Sequence, residues 1–510
     1  MLVKTFGCAL FGIEAILVTI EVNIDRGINF YLVGLPDNAV KESQQRIQAA
    51  IINLGYYYPH KKIVINMAPA DIRKEGSAYD LPIAIGIMAA SEQVSVDLLD
   101  RFVIMGELSL DGTLKPIKGT LPIAIKAKQD GFKGLIVPKT NAYEAAVVED
   151  LEVYGVENIH EVVSILNGES QIKPVTVDIT ESWQDVCCEF DFSDVKGQEN
   201  IKRALEIAAA GGHNVILIGP PGSGKTMLAK RMPTILPPLT MAEALETTKI
   251  HSVAGLIGRN AALVRTRPFR SPHHTISDAG LVGGGTYPQP GEISLAHNGV
   301  LFLDELPEFK RTVLEVMRQP MEDRVVTISR AKMTVDFPAN FMMVAAMNPC
   351  PCGYYNHPDK ECTCKPGMVQ QYLNRISGPL MDRIDLHVEV VPVAYKDLSS
   401  KSNGESSAAV RERVIKARKI QEERYAEYPT IHANAQMTSQ LIQKYCELDE
   451  DCRTILKNAM NRLGLSARAY DRILKVSRTI ADLDGSENIQ TGHLAEAINY
   501  RSLDRDNWGS

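Results

Sequence analysis

The most specific chemical signal in the sequence is a glycine-rich segment that ends in lysine and threonine. Residues 219–226 read GPPGSGKT, which fits the pattern G-x-x-x-x-G-K-[ST]. They follow the apolar run NVILI and overlap the helical run TMLAKRMPTIL, so a strand, a loop and a helix are predicted in that order. Such a loop directs backbone N–H groups at phosphate oxygens, and the helix N-terminus adds its dipole. A chance match is the alternative.

The pattern assigns chemistry to individual residues of this loop. Lys225 is expected to contact the β- and γ-phosphates of ATP, and the Thr226 hydroxyl is expected to bind Mg²⁺. The residues predicted to contact the nucleotide are Gly219, Pro220, Pro221, Gly222, Ser223, Gly224, Lys225, Thr226 and Met227.

Two further apolar runs end in polar residues that could complete the site. The run VLFL is followed by Asp304 and Glu305. Asp304 is expected to hold Mg²⁺ through water, and Glu305 is expected to polarise the attacking water. A strand that ends in solvated acids is the alternative. The run FMMVAAM is followed by Asn348, whose amide could orient the same water.

The composition is that of an ordinary globular protein. Of the 510 residues, 45% are hydrophobic and 23% are charged, which excludes a disordered, fibrous or low-complexity chain. The net charge of -7 gives no overall positive field, so a site for a polyanion must be local. Residues 1–22 predict a strand pair rather than a signal peptide, and no apolar run is long enough for a membrane span. A reducing, cytoplasmic environment is therefore expected.

The elements that must position these residues fall into three predicted domains. Short β-rich runs alternate with helical runs in the first two, and the third is helical. In the first domain, residues 37–55 predict a helix with Asp37 near its cap. The predicted units are an α/β domain at 1–170, a linker at 171–190, a second α/β domain at 191–395, a Ser-rich linker at 396–408 and a helical domain at 409–510.

The order of the glycine-rich loop, the acidic strand and the Asn348 strand resembles the core of AAA+ ATPases. Two long segments narrow this resemblance, RTRPFRSPHHTISDAGLVGGGTYPQPGEISLAHNGVLFLDELPEF and AAMNPCPCGYYNHPDKECTC. Together with DVKGQ and the tail LSARAYDRILKVSRTIADL, they resemble the YifB/ComM family of magnesium-chelatase-like ATPases over essentially the whole chain. The resemblance implies an α/β protein with a Lon-protease-like N-terminal domain, an AAA+ core with hairpin insertions before its sensor strand, and a helical lid.

The resemblance also implies a homo-hexamer, because AAA+ ATPases complete their site with an arginine from a neighbouring subunit. Arg383 is the first candidate for this arginine and Arg375 the second. The alternative for Arg383 is a surface pair with Asp382 or Asp385. Arg468 matches a lid arginine that senses the γ-phosphate in this branch, and a plain helix-surface arginine is the alternative.

The family is linked to natural transformation, where a hexameric ring uses ATP to promote branch migration. The resemblance therefore implies single-stranded and branched DNA as partners, with recombination proteins as further partners and no membrane. Insertions around residues 280–293 and in the hairpin VVTISRAKMTVDF resemble those of ring helicases. Arg330 and Lys332 at the hairpin turn could contact phosphates, or the turn could be merely solvated. The cationic run 259–274 is a second candidate for phosphate or neighbour contacts.

Two other activities fit the same motor. A chelatase-like motor would drive metal insertion into a tetrapyrrole, but it needs a partner subunit and a metal-binding integrin-like domain that this sequence lacks. A regulatory ATPase would remodel proteins and would favour aromatic pore residues. The cations Arg330 and Lys332 favour DNA instead.

Four of the nine cysteines lie within a short polar segment. Four thiolates can close a tetrahedral Zn²⁺ site, which would be structural because no ligand position stays open. The C-x-C spacing departs from the usual C-x-x-C, and two disulfides or four free thiols are the alternatives. The candidate ligands are Cys350, Cys352, Cys362 and Cys364.

The Lon-like resemblance does not extend to a protease site. The position of the nucleophilic serine falls on Ala78, and Ser77 is one residue out of register. Leu121 and Ile123 stand in the region where a basic partner would be required. Since a serine without an activating base is a poor nucleophile, this domain is predicted to be a non-proteolytic platform for ring stacking or DNA guidance.

Overall fold

The computed structural model describes most of the chain. Two of the predicted cations, Arg259 and Lys332, and most of both predicted linkers lie outside the described residues. The described residues are 2–177, 190–258, 261–285, 287–330, 333–355, 357, 359–365, 367–392, 404–428 and 430–501.

The first unit is a seven-stranded mixed sheet with strand order β3-β4-β2-β1-β5-β8-β9. The predicted N-terminal strand pair is confirmed, since β1 and β2 pair antiparallel. The strands are β1 (Leu2–Phe11), β2 (Glu14–Asp25), β3 (Phe30–Val33), β4 (Lys62–Ala68), β5 (Phe102–Ile104), β8 (Gly134–Pro138) and β9 (Glu152–Val156), with β6 (Glu107–Leu108) and β7 (Leu114–Lys115) in a separate small sheet.

Helices cover this sheet. Every residue of the apolar helix α3 is buried, which places it in the core of the unit. The predicted helix at 37–55 is divided at Glu42, and Asp37 caps its first part by accepting a hydrogen bond from Val40 N. The helices are α1 (Asn38–Lys41), α2 (Ser43–Asn53), α3 (Asp80–Ala90), α4 (Thr120–Gln129), α5 (Lys139–Ala145) and α6 (Ile159–Leu166).

The second unit is built on a five-stranded parallel sheet with strand order β11-β14-β17-β10-β18. Its central strands are continuous apolar runs buried on both faces, as expected for a parallel sheet between helical layers. The strands are β10 (Val215–Ile218), β11 (Phe269–Arg270), β14 (Val300–Leu303), β17 (Met342–Met347) and β18 (Leu386–Glu389).

Two small antiparallel pairs project from this unit and correspond to the two predicted insertions. The hairpin before the Asn348 strand has Arg330 opposite Met333. The pairs are β12 (Gly283–Gly284) with β13 (Gln289–Pro290), and β15 (Val325–Arg330) with β16 (Met333–Pro338). The helices of the unit are α7 (Glu199–Gly211), α8 (Lys225–Ile235), α9 (Met241–Ala254), α10 (Asp278–Val282), α11 (Glu292–Leu295), α12 (Arg311–Val316), α13 (Arg318–Asp323), α14 (Met368–Leu373) and α15 (Gly378–Met381).

The C-terminal unit is helical and shares an apolar core with one face of the parallel sheet. Arg472 on its helix α19 donates a 3.0 Å hydrogen bond to Asp385 Oδ1, immediately before β18. Its first helix begins at Ser407, two residues before the predicted domain start. The helices are α16 (Ser407–Arg424), α17 (Ser439–Tyr445), α18 (Glu450–Leu463), α19 (Ala467–Leu483) and α20 (Thr491–Asn499).

The first and second units also touch. The backbone N–H of Gly119 donates to Ser252 O at 3.0 Å, and the Ser252 hydroxyl donates to the Glu144 carboxylate. The Arg73 guanidinium lies 5.0 Å from the ring centroid of Tyr287. Among the described residues, none of the helices combines the length and hydropathy that crossing a bilayer demands.

Candidate nucleotide-binding site

The glycine-rich loop joins β10 to α8, as the sequence predicts. Gly224 has a φ of +89°, in the left-handed region that favours glycine. A Cβ on Gly219 would lie 2.3 Å from Val390 O, so only glycine lets the loop pass this close to the backbone that follows β18. These two positions fix the path of the loop against the end of the sheet.

Lys225 is the first residue of α8 and turns back into the loop. Its Nζ donates to Gly219 O at 2.7 Å and to Pro220 O at 2.9 Å. It also donates to Asn348 Oδ1 at 3.2 Å, so the third predicted strand end lies at the loop. Burial lowers the pKa of Lys225, and nearby Asp304 opposes that effect. The ammonium is thus held where phosphate oxygens would approach the loop.

Thr226 and Asp304 form the second contact between predicted site residues. Thr226 Oγ1 donates to Asp304 Oδ2 at 2.7 Å, and Asp304 Oδ1 accepts from the backbone N–H of Glu305 at 3.0 Å. Hydroxyl and carboxylate oxygens are the hard donors that Mg²⁺ prefers. The donor set therefore fits the expected Mg²⁺, with Thr226 and Asp304 as the residues that would hold it.

Glu305 occupies an unusual backbone position. Its φ of +53° and ψ of +48° lie in the left-handed region, where a residue other than glycine is strained. Its side chain is 58% exposed, and its Oε2 lies 3.3 Å from His274 Nδ1. The carboxylate therefore faces outward beside the Lys225–Asp304 cluster, where it can reach a water molecule.

The contact between His274 and Glu305 was not predicted. The sequence places His274 only within a cationic run, as a general candidate for phosphate or neighbour contacts. Two arginines of that run, Arg267 and Arg270, pair with carboxylates of the same chain. Arg267 forms a hydrogen-bonded pair with Glu243, and Arg270 forms one with Glu292. Glu243 and Glu292 lie more than 20 residues from their partners in the sequence, so local sequence does not predict these pairs.

The two candidate arginines for a neighbouring site have different surroundings. Arg383 is buried, pairs with the Glu322 carboxylate and donates to Pro379 O. The alternative considered from the sequence was a pair with Asp382 or Asp385, but the carboxylate that pairs with Arg383 is that of Glu322. The Arg375 side chain is 54% exposed, and its Nη1 lies 3.0 Å from both carboxylate oxygens of Glu308.

Arg375 lies on a surface groove of about 450 Å³. This groove begins two residues after Glu305 in the chain, at Pro307. Its lining residues are Pro307, Glu308, Phe309, Arg311, Gln371, Asn374 and Arg375. The groove presents two guanidinium groups and one carboxylate to the outside of the protomer.

Arg468 stands in the first turn of α19 and is exposed. Its Nη1 donates to Asp382 Oδ2 at 3.3 Å. Asp382 immediately precedes Arg383 in the chain. The structure therefore brings the lid arginine to the segment that carries the first candidate for the neighbour-directed arginine. Its contacts do not include Lys225 or Asp304.

The hairpin proposed to contact DNA buries one face, which carries Val326 and Phe337, and exposes the other. Arg330 is the last residue of β15, and its Nε donates to Gly285 O at 3.2 Å. This bond ties the hairpin to the first insertion, so the two predicted insertions lie side by side. Lys332 falls outside the described residues.

The four cysteines come together. Their sulfur atoms all lie within 4.8 Å of one another, and Cys350 is buried while the other three are half-buried. Cys350 Sγ lies 3.3 Å from Cys352 Sγ and 3.8 Å from Cys362 Sγ. These separations are too long for a disulfide bond of about 2.05 Å. The arrangement is compatible with a metal ion held by four thiolates.

The N-terminal unit shows no hydrogen bond between Ser77 and a lysine among the residues described. The Ser77 hydroxyl donates to the Glu107 carboxylate. Leu121 and Ile123 are buried in helix α4, and Ala78 packs against the apolar core. The nearby Lys74 is itself buried and donates to the backbone carbonyl of Ile72 at 2.7 Å.

Comparison with known families covers nearly the whole chain. Residues 20–141 match the family described as subunit ChlI of Mg-chelatase. Residues 191–398 match magnesium chelatase, subunit ChlI, and residues 404–501 match its C-terminal region. The gap between the first two matched segments, residues 142–190, includes the first predicted linker at 171–190.

Individual relatives support the same assignment. The competence protein ComM of Haemophilus influenzae is 48% identical over 503 residues, which cover 98% of this chain and 97% of that protein. The uncharacterized protein YifB of Escherichia coli is 46% identical over 98% of this chain and 96% of its own length. Shorter matches join parts of the chain to Lon protease 2 of Bacillus subtilis and to the DNA replication licensing factor Mcm6 of Drosophila melanogaster.

Proposed function

Because this chain belongs to the YifB/ComM family of magnesium-chelatase-like AAA+ ATPases, we propose that it is an ATP-hydrolysing hexameric motor that acts on DNA. Its proposed task is branch migration during the recombination of transforming DNA. The name of the competence protein ComM supports this pathway, since that relative is similar over nearly its full length.

One observation carries the ATPase part of the proposal. The ends of β10, β14 and β17 bring together an ammonium, a hydroxyl, a carboxylate and an amide. Lys225 contacts Asn348 at 3.2 Å, and Thr226 contacts Asp304 at 2.7 Å. A convergence of these four groups on a glycine-rich loop is the arrangement that binds and hydrolyses a nucleoside triphosphate.

Each residue has a proposed role in that reaction. Lys225 and the loop N–H groups bind the phosphates, and Asn348 orients the attacking water. Glu305 accepts a proton from that water as it attacks the γ-phosphorus in line with the leaving oxygen. Mg²⁺ held by Thr226 and Asp304 would neutralise charge on the phosphate oxygens.

The proposed ring supplies one more cation to each site from the adjacent protomer. Arg383 remains the first candidate and Arg375 the second. Arg375 is already exposed, whereas Arg383 would have to exchange its pair with Glu322 for a phosphate. Arg468 lies beside Asp382, so we assign it to the same subunit boundary. Cations at this boundary would stabilise the charge that develops on the γ-phosphate.

DNA is proposed to contact the β15–β16 hairpin in the pore. Arg330 at the end of β15 is exposed, and a cation on a hairpin in the pore can contact phosphates as the ring cycles. The net charge of -7 for the whole chain makes such a local contact necessary, because no general positive field attracts DNA.

The proposal is tested by measuring ATP hydrolysis with no DNA, single-stranded DNA, double-stranded DNA and a four-way junction. We expect stimulation by DNA, strongest with the junction, and ATP-dependent conversion of a mobile junction to duplex products. The Glu305→Gln variant serves as the control and should bind the junction without converting it. Hydrolysis that no DNA alters, combined with no junction conversion, would instead favour a chelatase-like or protein-remodelling motor.

A further inference from the structure

The cysteine cluster has the geometry of a closed metal site. In a tetrahedral site with Zn–S bonds of about 2.3 Å, the sulfur atoms lie about 3.8 Å apart. The sulfur atoms of Cys350, Cys352 and Cys362 lie 3.3, 3.5 and 3.8 Å from one another, and all four sulfur atoms lie within 4.8 Å. An iron–sulfur cluster would hold its thiolates farther apart, because inorganic atoms stand between them.

The surroundings also suit a thiolate site. The backbone N–H of Tyr355 donates to Cys350 Sγ at 3.3 Å, the kind of bond that orients and stabilises a coordinating thiolate. Little else holds this segment, because the described residues between Cys352 and Cys364 form neither helix nor strand and are mostly polar. A metal ion would cross-link this polar segment, which has too few apolar residues to be held by a hydrophobic core.

This loop packs directly against the glycine-rich loop. A Cβ on Gly353 would lie 2.6 Å from Pro221 Cδ, so the backbone of the cysteine loop lies directly against the Pro221 ring. Tyr355 and His357 also share a small cavity with Gly219 and Pro220, of about 70 Å³. The cysteine loop thus packs against the glycine-rich loop that is proposed to bind phosphate.

The same loop begins immediately after the proposed sensor residue. Asn348 is separated from Cys350 only by Pro349, which lines the same small cavity. Cys350 is fully buried, so its position fixes the end of β17. The cysteine loop therefore affects Lys225 in two ways. Cys350 holds the strand end that carries Asn348, and Gly353 supports Pro221 in the glycine-rich loop.

We propose that Cys350, Cys352, Cys362 and Cys364 bind one Zn²⁺, and that the zinc loop is a structural brace for the nucleotide site. The ion holds the loop against Pro221 and keeps Asn348 within reach of Lys225. All four ligand positions belong to the protein, so the ion takes no part in hydrolysis. Loss of zinc should therefore weaken nucleotide binding.

The test begins with the metal content of the full-length protein, purified from zinc-supplemented medium without chelators. We expect about one Zn²⁺ per chain in the wild type. Cys362→Ser and Cys364→Ser should lose it, because each variant removes one of the four thiolates that a closed tetrahedral site needs. Thr363→Ala is the matched control, since Thr363 is exposed between two ligands and leaves every thiol in place.

A second measurement uses the folded wild-type protein, so that it does not depend on the folding of a variant. A mercurial reagent releases zinc while a chromogenic chelator reports its amount, and a fluorescent ATP analogue reports binding in the same sample. We expect nucleotide affinity to fall about fivefold or more as zinc is released, and to return when thiol and Zn²⁺ are restored.

Two results would overturn the proposal. Wild-type protein without zinc that also fails to give a thiolate-to-metal charge-transfer band with Co²⁺ would eliminate the site. Zinc release that leaves nucleotide affinity unchanged would eliminate the brace. Both readouts are independent of DNA, so they can succeed or fail separately from the proposed motor function.

Discussion

His274 Nδ1 lies 3.3 Å from Oε2 of Glu305, the residue proposed to activate water. The His274 ring is flanked by His273, with centroids 4.1 Å apart, and by Phe309 at 6.4 Å. The Glu305 side chain is otherwise largely exposed on a strained backbone. A packed imidazole at this distance restricts the directions that the carboxylate can take, so we assign His274 a positioning role.

The first prediction follows from this contact. His274→Ala should lower kcat for ATP hydrolysis about tenfold, with a much smaller change in nucleotide affinity, because a misdirected base loses rate rather than binding. Steady-state kinetics and equilibrium binding of an ATP analogue separate the two effects. His273→Ala is the comparison variant and should lower kcat less, since the His273 side chain packs on His274 and hydrogen-bonds with Thr275. Equal kcat in both variants would refute the positioning role.

The second prediction separates binding from hydrolysis within the main site. Lys225→Ala should abolish measurable nucleotide binding, because the loop loses the ammonium that contacts the phosphates. Glu305→Gln should keep nucleotide binding and lower hydrolysis about 100-fold or more, since the amide cannot take a proton from water. Analogue binding and phosphate release report the two steps. Normal turnover in Glu305→Gln would show that another group acts as the base.

The strand ends of this site could be predicted because the carboxyl ends of parallel strands meet at one edge of a sheet. Asp304 and Asn348 each follow an apolar strand, and Lys225 follows the loop after β10. Their contacts at 2.7 to 3.2 Å bring these three strand ends together. The Asp37 cap was equally predictable, because a capping bond to Val40 N depends only on local sequence.

Contacts made by loops could not be predicted in this way. The path from β11 to His274 depends on how the first insertion packs, and the hydrophobic pattern of the sequence does not predict that path. Arg383 was considered beside two neighbouring aspartates, but its carboxylate partner is Glu322 from helix α13. Tertiary packing selects among charged residues that the sequence leaves equivalent, so such pairs emerge only from the fold.

The third prediction concerns the arginine that the proposed ring supplies from an adjacent protomer. Arg383→Ala and Arg375→Ala each leave the protomer's own loop intact. The variant that removes the neighbour-directed arginine should hydrolyse ATP about 10³-fold more slowly and should still bind nucleotide. Phosphate release by the single variants, with analogue binding, identifies the residue. A thermal melt is needed for Arg383→Ala, since the side chain is buried and its loss leaves Glu322 unpaired.

Mixing experiments test whether that arginine acts between protomers. Lys225→Ala retains every arginine but has no working loop, so mixing it with the inactive arginine variant should restore part of the activity. Arg453→Ala, which removes an exposed arginine paired only loosely with Glu450 at 3.7 Å, should behave like wild type. No recovery in any mixture, together with full activity of a monomeric form, would contradict the shared site.

The fourth prediction concerns the hairpin. Replacing Arg330 and Lys332 together with alanine should weaken DNA binding and lower the slope of log affinity against log salt by about 1.8, the value for two lost phosphate contacts. Fluorescence anisotropy at several salt concentrations measures both quantities. The double variant Lys416→Ala with Arg453→Ala removes the same charge from exposed lid positions and should leave the slope unchanged. Equal slopes in both double variants would place the DNA contact elsewhere.

The fifth prediction concerns Lys475, a buried lysine on α19 where the lid packs against the sheet. Its Nζ donates to Ala435 O at 3.0 Å. Burial lowers the pKa of Lys475 from 10.5 to about 8, helped by Arg472 and Arg324 and opposed by Asp385 and Asp471. The folded protein therefore pays for a buried charge at neutral pH.

The sign of the pH dependence follows from proton binding. Between pH 8 and 10.5 the unfolded lysine keeps its proton while the folded one has released it, so this group makes folding more favourable as pH rises. Lys475→Met removes the effect. The free energy of unfolding of wild type minus that of the variant should increase by up to about 1.4 kcal/mol per pH unit in this window. Urea titrations at several pH values measure it, and a flat or falling difference would contradict it. Lys416→Met, an exposed lid lysine, should show no such trend.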